Sequence, residues 1–158
     1  MGIRVDGWGK VSVFAFKGGP VVTMDGKGRL TVPARFKDEL MTLEEGHLVV
    51  CKNTSASLQL FPRSVWQRLE VKLMALDATY AELRRFLIGS ATDLVIDGAS
   101  RINVPPELRE WAGLEREVIF MGVGKNFELW DKGRLAAHEE KVLREQDMTA
   151  RMTGLVID

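Results

Sequence analysis

Asp25, Lys27 and Arg29 stand on alternate positions of a glycine-containing segment, Asp25-Gly26-Lys27-Gly28-Arg29. Two chemistries suit that spacing. Asp25 and Arg29 are close enough in sequence to meet across the end of a hairpin. They would form an ion pair there, with the carboxylate also accepting the turn's backbone N–H groups. The same segment projects two cations from a low-profile loop, because Gly26 and Gly28 let the backbone come near another surface. An arginine so placed can reach guanine bidentately or clamp a phosphate, and a lysine serves phosphate as a point charge. Spacing alone favours the ion pair. Both readings hold together if Asp25 orients Arg29.

The motif occurs twice. Asp25, Gly26, Arg29, Val32 and Pro33 recur as Asp97, Gly98, Arg101, Val104 and Pro105, at a constant offset of 72 residues. Residues 57–61 (Ser-Leu-Gln-Leu-Phe) recur as residues 126–130 (Asn-Phe-Glu-Leu-Trp) at an offset of 69. The repeat therefore spans a whole supersecondary unit, and such a repeat governs the architecture. In each unit a β-type run leads into an Asp-Gly turn and returns as a strand. Leu30 and Val32 then point one way along the returning strand and Arg29 and Thr31 the other. Pro33, and the Pro105-Pro106 pair, stop the strand and open a short helix. The first helix is expected to run to about Leu40, with Phe36 and Leu40 on one face, and Gly113 to end the second. Two further strands complete each unit, at 47–51 and 58–62 in the first and at 117–121 and 126–130 in the second.

The predicted organisation is an N-terminal extension over residues 1–15, a first unit over 16–62, a helical insert over 63–92, a second unit over 93–131, and a C-terminal helix and tail over 132–158. Within the extension, Val11, Val13 and Ala15 allow a strand. In the insert, Ser64 with Gln67 has the pattern of a capping box. Asp77 is placed to cap a second helix carrying Leu83, Phe86 and Leu87 on one stripe. Residues 151–158 read as a loose tail. One unit of about 45 residues is too small to bury a core alone and leaves strand edges unpaired. Two units pairing around a pseudo-two-fold axis solve both problems and bring the two Asp-Gly turns to one face.

Composition limits the function classes. The apolar fraction of 46% supports a packed core. With 22 basic and 22 acidic residues, any nucleic-acid binding must rest on a local patch rather than global charge. Cys51 is the sole cysteine, so no intrachain disulfide forms, and its apolar neighbours Leu48, Val49 and Val50 point to a buried thiol in a cytoplasmic protein. Cys51, His47 and His138 are too few and scattered for a zinc site. No metal or other cofactor is expected. No apolar run approaches a membrane span, and the first residues lack a signal peptide's pattern.

The run Phe16-Lys17-Gly18 followed by Asp25-Gly26-Lys27-Gly28-Arg29-Leu30-Thr31-Val32-Pro33 resembles the opening of the bacterial MraZ family. Gly89-Ser90 with Asp97-Gly98-Ala99-Ser100-Arg101-Ile102-Asn103-Val104-Pro105 is similar to that family's second unit, and residues 125–130 resemble its last strand. The resemblance covers roughly residues 16–138, and residues 1–15 lie upstream of it. It implies an α+β, mainly β, SpoVT/AbrB-like fold, with two tandem swapped-hairpin units forming one pseudo-two-fold β-barrel and helices after each unit. It also implies a transcription factor of the division and cell-wall gene cluster, including its own promoter, that assembles as a homo-oligomeric ring and binds repeated short boxes in double-stranded DNA. Such a protein would be cytoplasmic and nucleoid-associated, with no membrane partner. Carried over residue by residue, the loop sets Lys27, Gly28 and Arg29 at the DNA, with Arg35 a further phosphate contact and Arg101 the second loop's counterpart. Ala99 and Ser100 replace Lys27 and Gly28 in that second loop, so the first loop is expected to dominate, with Arg101 pairing structurally to Asp97.

Two other classes fit less well. An enzyme would need a phosphate loop or a catalytic constellation. Neither Gly122-Val123-Gly124-Lys125 nor Gly26-Lys27-Gly28 has the phosphate-loop pattern. Asp25 and Asp97 each have an arginine that favours a structural role. An AbrB-like antitoxin or interaction module would usually be one short unit rather than a duplicated one.

Overall fold

A computed structural model describes residues 4–5, 11–12 and 15–155. β1 (Arg4–Val5) and β2 (Val11–Ser12) pair antiparallel. The strand expected near Val11 to Ala15 thus falls on its first two positions, with residues 13 and 14 outside the described set. The first unit carries β3 (Phe16–Gly18), β4 (Val21–Thr23), β5 (Arg29–Thr31), α1 (Ala34–Glu44), β6 (His47–Lys52) and β7 (Leu58–Pro62). The insert holds α2 (Arg63–Met74), α3 (Ala81–Leu87) and two 3-10 turns, the first opened by Asp77, which accepts from the Thr79 N–H. The second unit carries β8 (Thr92–Val95), β9 (Arg101–Asn103), α4 (Pro106–Ala112), β10 (Glu117–Gly124) and β11 (Phe127–Asp131), followed by α5 (Lys132–Glu145) and α6 (Met148–Leu155). The chain is α+β, with its described strands in antiparallel ladders.

Three local expectations are corrected. α1 runs past Leu40 to Glu44, because its exit waits for Glu45 and Gly46, which take left-handed φ of 53° and 77°. The capping box at Ser64 does not form. Pro62 already starts α2 at Arg63, so Ser64 falls inside the first turn. There its N–H and hydroxyl donate to the Glu44 carboxylate at 3.0 and 2.6 Å. A side chain from the end of α1 thereby caps α2. The tail read as loose is helical through Leu155, opened by Asp147, which accepts from the Ala150 N–H at 2.9 Å. Residues 156–158 lie outside the described set. Gly113 ends α4 at φ 60° as expected.

The two units exchange strands. The main sheet runs β3-β10-β11-β7-β6-β8, with β4 also on β10, and among the described residues its ladders do not close into a barrel. β3 and β4 of the first unit thus pair with β10 of the second, and β8 of the second with β6 of the first. A separate ladder joins β5 to β9, with Leu30 facing Ile102 at its centre. In the β7–β11 ladder Gln59 faces Glu128 at the centre. Each central pair consists of repeat equivalents.

Burial explains the apolar runs. One core gathers Leu30, Val32, Phe36, Ile102, Val104, Leu108, Phe120 and Phe127 between the units. Phe36 and Phe127 pack with ring centres 5.0 Å apart. A second cluster lies under the insert, where Val49, Cys51 and Phe61 meet Trp66, Leu73 and Leu87. β6 is buried on both faces. Leu48 and Val50 enter the first core while Val49 and Cys51 enter the second, so this strand reads as continuous apolar sequence rather than alternation.

Candidate nucleic-acid interface

The first Asp-Gly turn is held from within. The Gly28 N–H donates to the Asp25 carbonyl at 3.0 Å, and the Asp25 N–H to the Arg29 carbonyl at 2.9 Å. Gly28 takes φ +86°, the left-handed bulge position of a short hairpin loop. Asp25 Oδ1 accepts the Lys27 and Arg29 N–H groups at 2.9 and 3.0 Å, and its Oδ2 accepts Arg29 Nε at 2.7 Å. These donors favour the charged carboxylate. The Arg29 N–H contributes most; with the Arg29 side chain and the Lys27 N–H it outweighs the opposing desolvation and lowers the Asp25 pKa to about 2. The ion pair is therefore present, and it holds Arg29 by its inner nitrogen.

The second turn copies the backbone but not the grip. Asp97 accepts the Ala99 and Arg101 N–H groups at 2.8 and 2.9 Å. Arg101 Nε stands 3.7 Å from Asp97 Oδ2 and is buried without a hydrogen-bond partner among the described residues. The structural pair expected at Arg101 is thus the looser of the two. Ser100 occupies the bulge at φ 65°, a conformation that costs a side-chain-bearing residue. The Asp97 carboxyl is lowered by the Arg101 N–H first, then by Ala99 and by the charges of Arg101 and Arg29. Arg29 acts on Asp97 because the two turns are neighbours.

The β5–β9 ladder is what makes them so. Arg29 faces Asn103, and Thr31 faces Arg101. Leu30 and Ile102 are buried, so strand alternation turns Arg29, Thr31, Arg101 and Asn103 together to the opposite, outer face. Arg29 and Arg101 stand on the diagonal of this face, about 7–8 Å apart at their backbones. Lys27 is exposed on the adjoining turn and has no ion pair among the described residues. Crossed hydrogen bonds fix both turns to the ladder, since the Val104 N–H donates to the Gly28 carbonyl and the Val32 N–H to the Ser100 carbonyl, each at 2.9 Å.

Two expected residues take other places. Gly28 is buried, so its missing side chain does not serve approach to an outside surface. A Cβ there would lie 2.6 Å from Arg109 Nε and 2.8 Å from the Val104 carbonyl oxygen. Gly26, with nothing within 4 Å of its would-be Cβ, is the glycine that leaves the tip bare. Arg35 turns towards β3. Its guanidinium lies against Gly18, where a Cβ would come 3.1 Å from Cζ, and 4.9 Å from the centre of the Phe36 ring.

Sequence reading set Thr31 on the face of Arg29 but named none of Thr31, Asn103 and Arg109 as a candidate site residue. The first two were legible from strand alternation around Leu30 and Ile102. Arg109 is half-buried on α4, and its Nε donates to the Val104 carbonyl at 3.0 Å. Its repeat equivalent is Lys37, which lines an open cleft with Thr31, Val32 and Ser100. A cation recurring at the 72-residue offset was the available signal. Among the described residues no group of His, Cys, Asp and Glu side chains forms a metal site. No helix among them is long and apolar enough to cross a membrane.

Comparison with known proteins matches the chain twice to one family model, described as "MraZ protein, putative antitoxin-like", over residues 15–89 and 87–156. A protein of Nitrosospira multiformis named "Transcriptional regulator MraZ" is 43% identical over 135 residues, covering 84% of this chain and 92% of that protein. Proteins of the same name from Delftia acidovorans (39% over 131 residues, 83% and 92% covered) and Methylibium petroleiphilum (42% over 130 residues, 82% and 89% covered) are similar.

Proposed function

This chain belongs to the MraZ family, and we propose that it is a sequence-specific DNA-binding transcriptional regulator. The observation that carries this reading is the outer face of the β5–β9 ladder, where Arg29, Thr31, Arg101 and Asn103 stand together beside the exposed Lys27. A two-stranded ribbon fits the major groove, which is about 12 Å wide. Arginine pairs bidentately with guanine and asparagine with adenine, while threonine meets either base edges or a thymine methyl group. Lys27 is placed for phosphate. Asp25 holds Arg29 by Nε and leaves its two outer nitrogens for a base edge.

The symmetric register of both ladders, centred on Leu30 with Ile102 and on Gln59 with Glu128, supports a pseudo-two-fold relation between the units. We read the exchanged strands as the swapped-hairpin architecture of the family. One ladder touches few phosphates, and the chain is neutral overall. Useful affinity therefore calls for several copies acting together. A homo-oligomeric ring engaging repeated boxes supplies them, and Leu143, Met152 and Leu155, exposed on α5 and α6, are apolar side chains suited to subunit contact. By family likeness the target is the division and cell-wall gene cluster, including the protein's own promoter, in the cytoplasm at the nucleoid.

The test is a gel shift on the DNA upstream of the protein's own gene. Tandem boxes should bind far more tightly than a single box. Arg29→Ala should cost about 1–3 kcal/mol per engaged ladder, roughly 5- to 150-fold. Equal binding by a folded Arg29→Ala variant would remove the central claim.

A further inference from the structure

One cation packed against Gly28 comes from outside the first unit. It is Arg109, delivered from α4 of the second. We propose that Arg109 binds DNA phosphate, so that the first loop's contact surface is a composite of both repeats. This rests on the DNA-binding reading above.

Four observations converge on this role. Arg109 donates from Nε to the Val104 carbonyl, while the Val104 N–H donates to the Gly28 carbonyl. The guanidinium is thus tied to the backbone that fixes the first turn. It lies flat enough against Gly28 that a Cβ there would come 2.7 Å from its Cζ, so the contact exists only because residue 28 is glycine. Arg109 has no ion pair among the described residues, and its one hydrogen bond uses Nε alone. Its two outer nitrogens thus remain as a planar fork with no carboxylate to neutralise it, the geometry that grips phosphate bidentately. Both neighbouring arginines of the ladder have their own aspartate, within 2.7 Å for Arg29 and 3.7 Å for Arg101. Lys27 and Arg109 both stand at this turn without an ion pair among the described residues.

The same geometry separates the two loops. At the second loop the equivalent cation is Lys37 and the bulge residue is Ser100. A lysine offers a point charge without the fork, and a serine side chain occupies the space that Gly28 leaves open. The first loop therefore carries the stronger phosphate contact for two linked reasons, its glycine and the arginine that the glycine admits.

The experiment measures binding to a tandem-box duplex across salt for wild type, Arg109→Gln and Arg109→Lys, with folding checked by thermal melting. Losing one phosphate contact lowers the slope of log affinity against log salt by about 0.9. The wild-type advantage over Arg109→Gln should then shrink about threefold per engaged loop between about 50 and about 200 mM salt. Arg109→Lys, which keeps the charge, should retain most of the slope. A folded Arg109→Gln variant with the wild-type slope, or an Arg109→Lys variant that loses the slope equally, would overturn the proposal and leave Arg109 a brace for the turn. Failure of the wild type itself to bind any box would instead overturn the DNA-binding reading.

Discussion

Replacing Gly28 with alanine should damage the fold, while the same change two residues earlier should not. Gly28 sits at φ +86°, where an alanine pays about 1–2 kcal/mol for left-handed backbone. Its Cβ would also come 2.8 Å from the Val104 carbonyl oxygen, which is backbone and cannot swing away, and 2.6 Å from Arg109 Nε. Overpacking of that kind costs about 1–3 kcal/mol. The stiffer unfolded chain returns about 0.4–1 kcal/mol. The net loss is about 1–5 kcal/mol, a fall in Tm of about 2–20 °C for a chain of this size. Gly26→Ala meets nothing within 4 Å and has no positive φ, so it should be neutral within about 0.5 kcal/mol. Ser100→Gly relieves a left-handed serine at φ 65° and should be neutral or stabilising by up to about 1 kcal/mol. The assay is urea unfolding of all three variants at one protomer concentration, since assembly would make stability concentration-dependent. Equal midpoints for Gly28→Ala and Gly26→Ala would refute the claim that Gly28 serves internal packing.

Leu30→Ala and Ile102→Ala remove side chains that are 0% and 1% exposed. Each should cost about 2–5 kcal/mol in unfolding experiments, and because the two face each other their effects should not add. Glu44→Ala removes the carboxylate that holds the Ser64 N–H and hydroxyl, with an expected loss of about 0.5–2 kcal/mol and fraying of α2 seen as faster amide exchange. The Asp25 pKa is depressed to about 2 in the folded chain. Its support of the turn is therefore complete above the unfolded value near 4 and disappears as pH falls through about 2, which the Arg29 Nε–H resonance should follow. Burial pushes the Cys51 thiol up to about 12, so a thiol reagent at neutral pH should label the protein only after denaturation.

The sequence carried most of the architecture because a repeat is information about symmetry. The offset that aligns Leu30 with Ile102 is the same one that sets them opposite each other in the β5–β9 ladder. Asp25, Arg29 and the Pro33 helix start were legible because local backbone chemistry decides them. What escaped depended on distant partners. Ser64 looked like a cap until Glu44, twenty residues earlier, proved to be the group that reaches it. Gly28 looked like a point of approach to DNA until Val104 and Arg109 filled the space against it. Residues 151–155 read as a loose tail, yet they continue a helix opened four residues earlier by the Asp147 cap. The exchange of β4 onto β10 was expected only in general terms, since nothing local to Val21 names Ile119 as its partner.

That exchange also sets a waiting time during synthesis. Val21 faces Ile119, about 100 residues later in the chain. At roughly 5–20 residues per second, β4 leaves the ribosome some 5–20 seconds before its partner strand exists. For that interval the first unit exposes unpaired edges and an apolar face that the second unit later covers. A finished β10 on a neighbouring ribosome offers the same surface as the chain's own. Crowded polysomes would therefore favour exchange between chains, and slow translation between the units would lengthen the exposure. The strand pairing that makes two small units into one stable body also makes the nascent chain most vulnerable when half of it has been made.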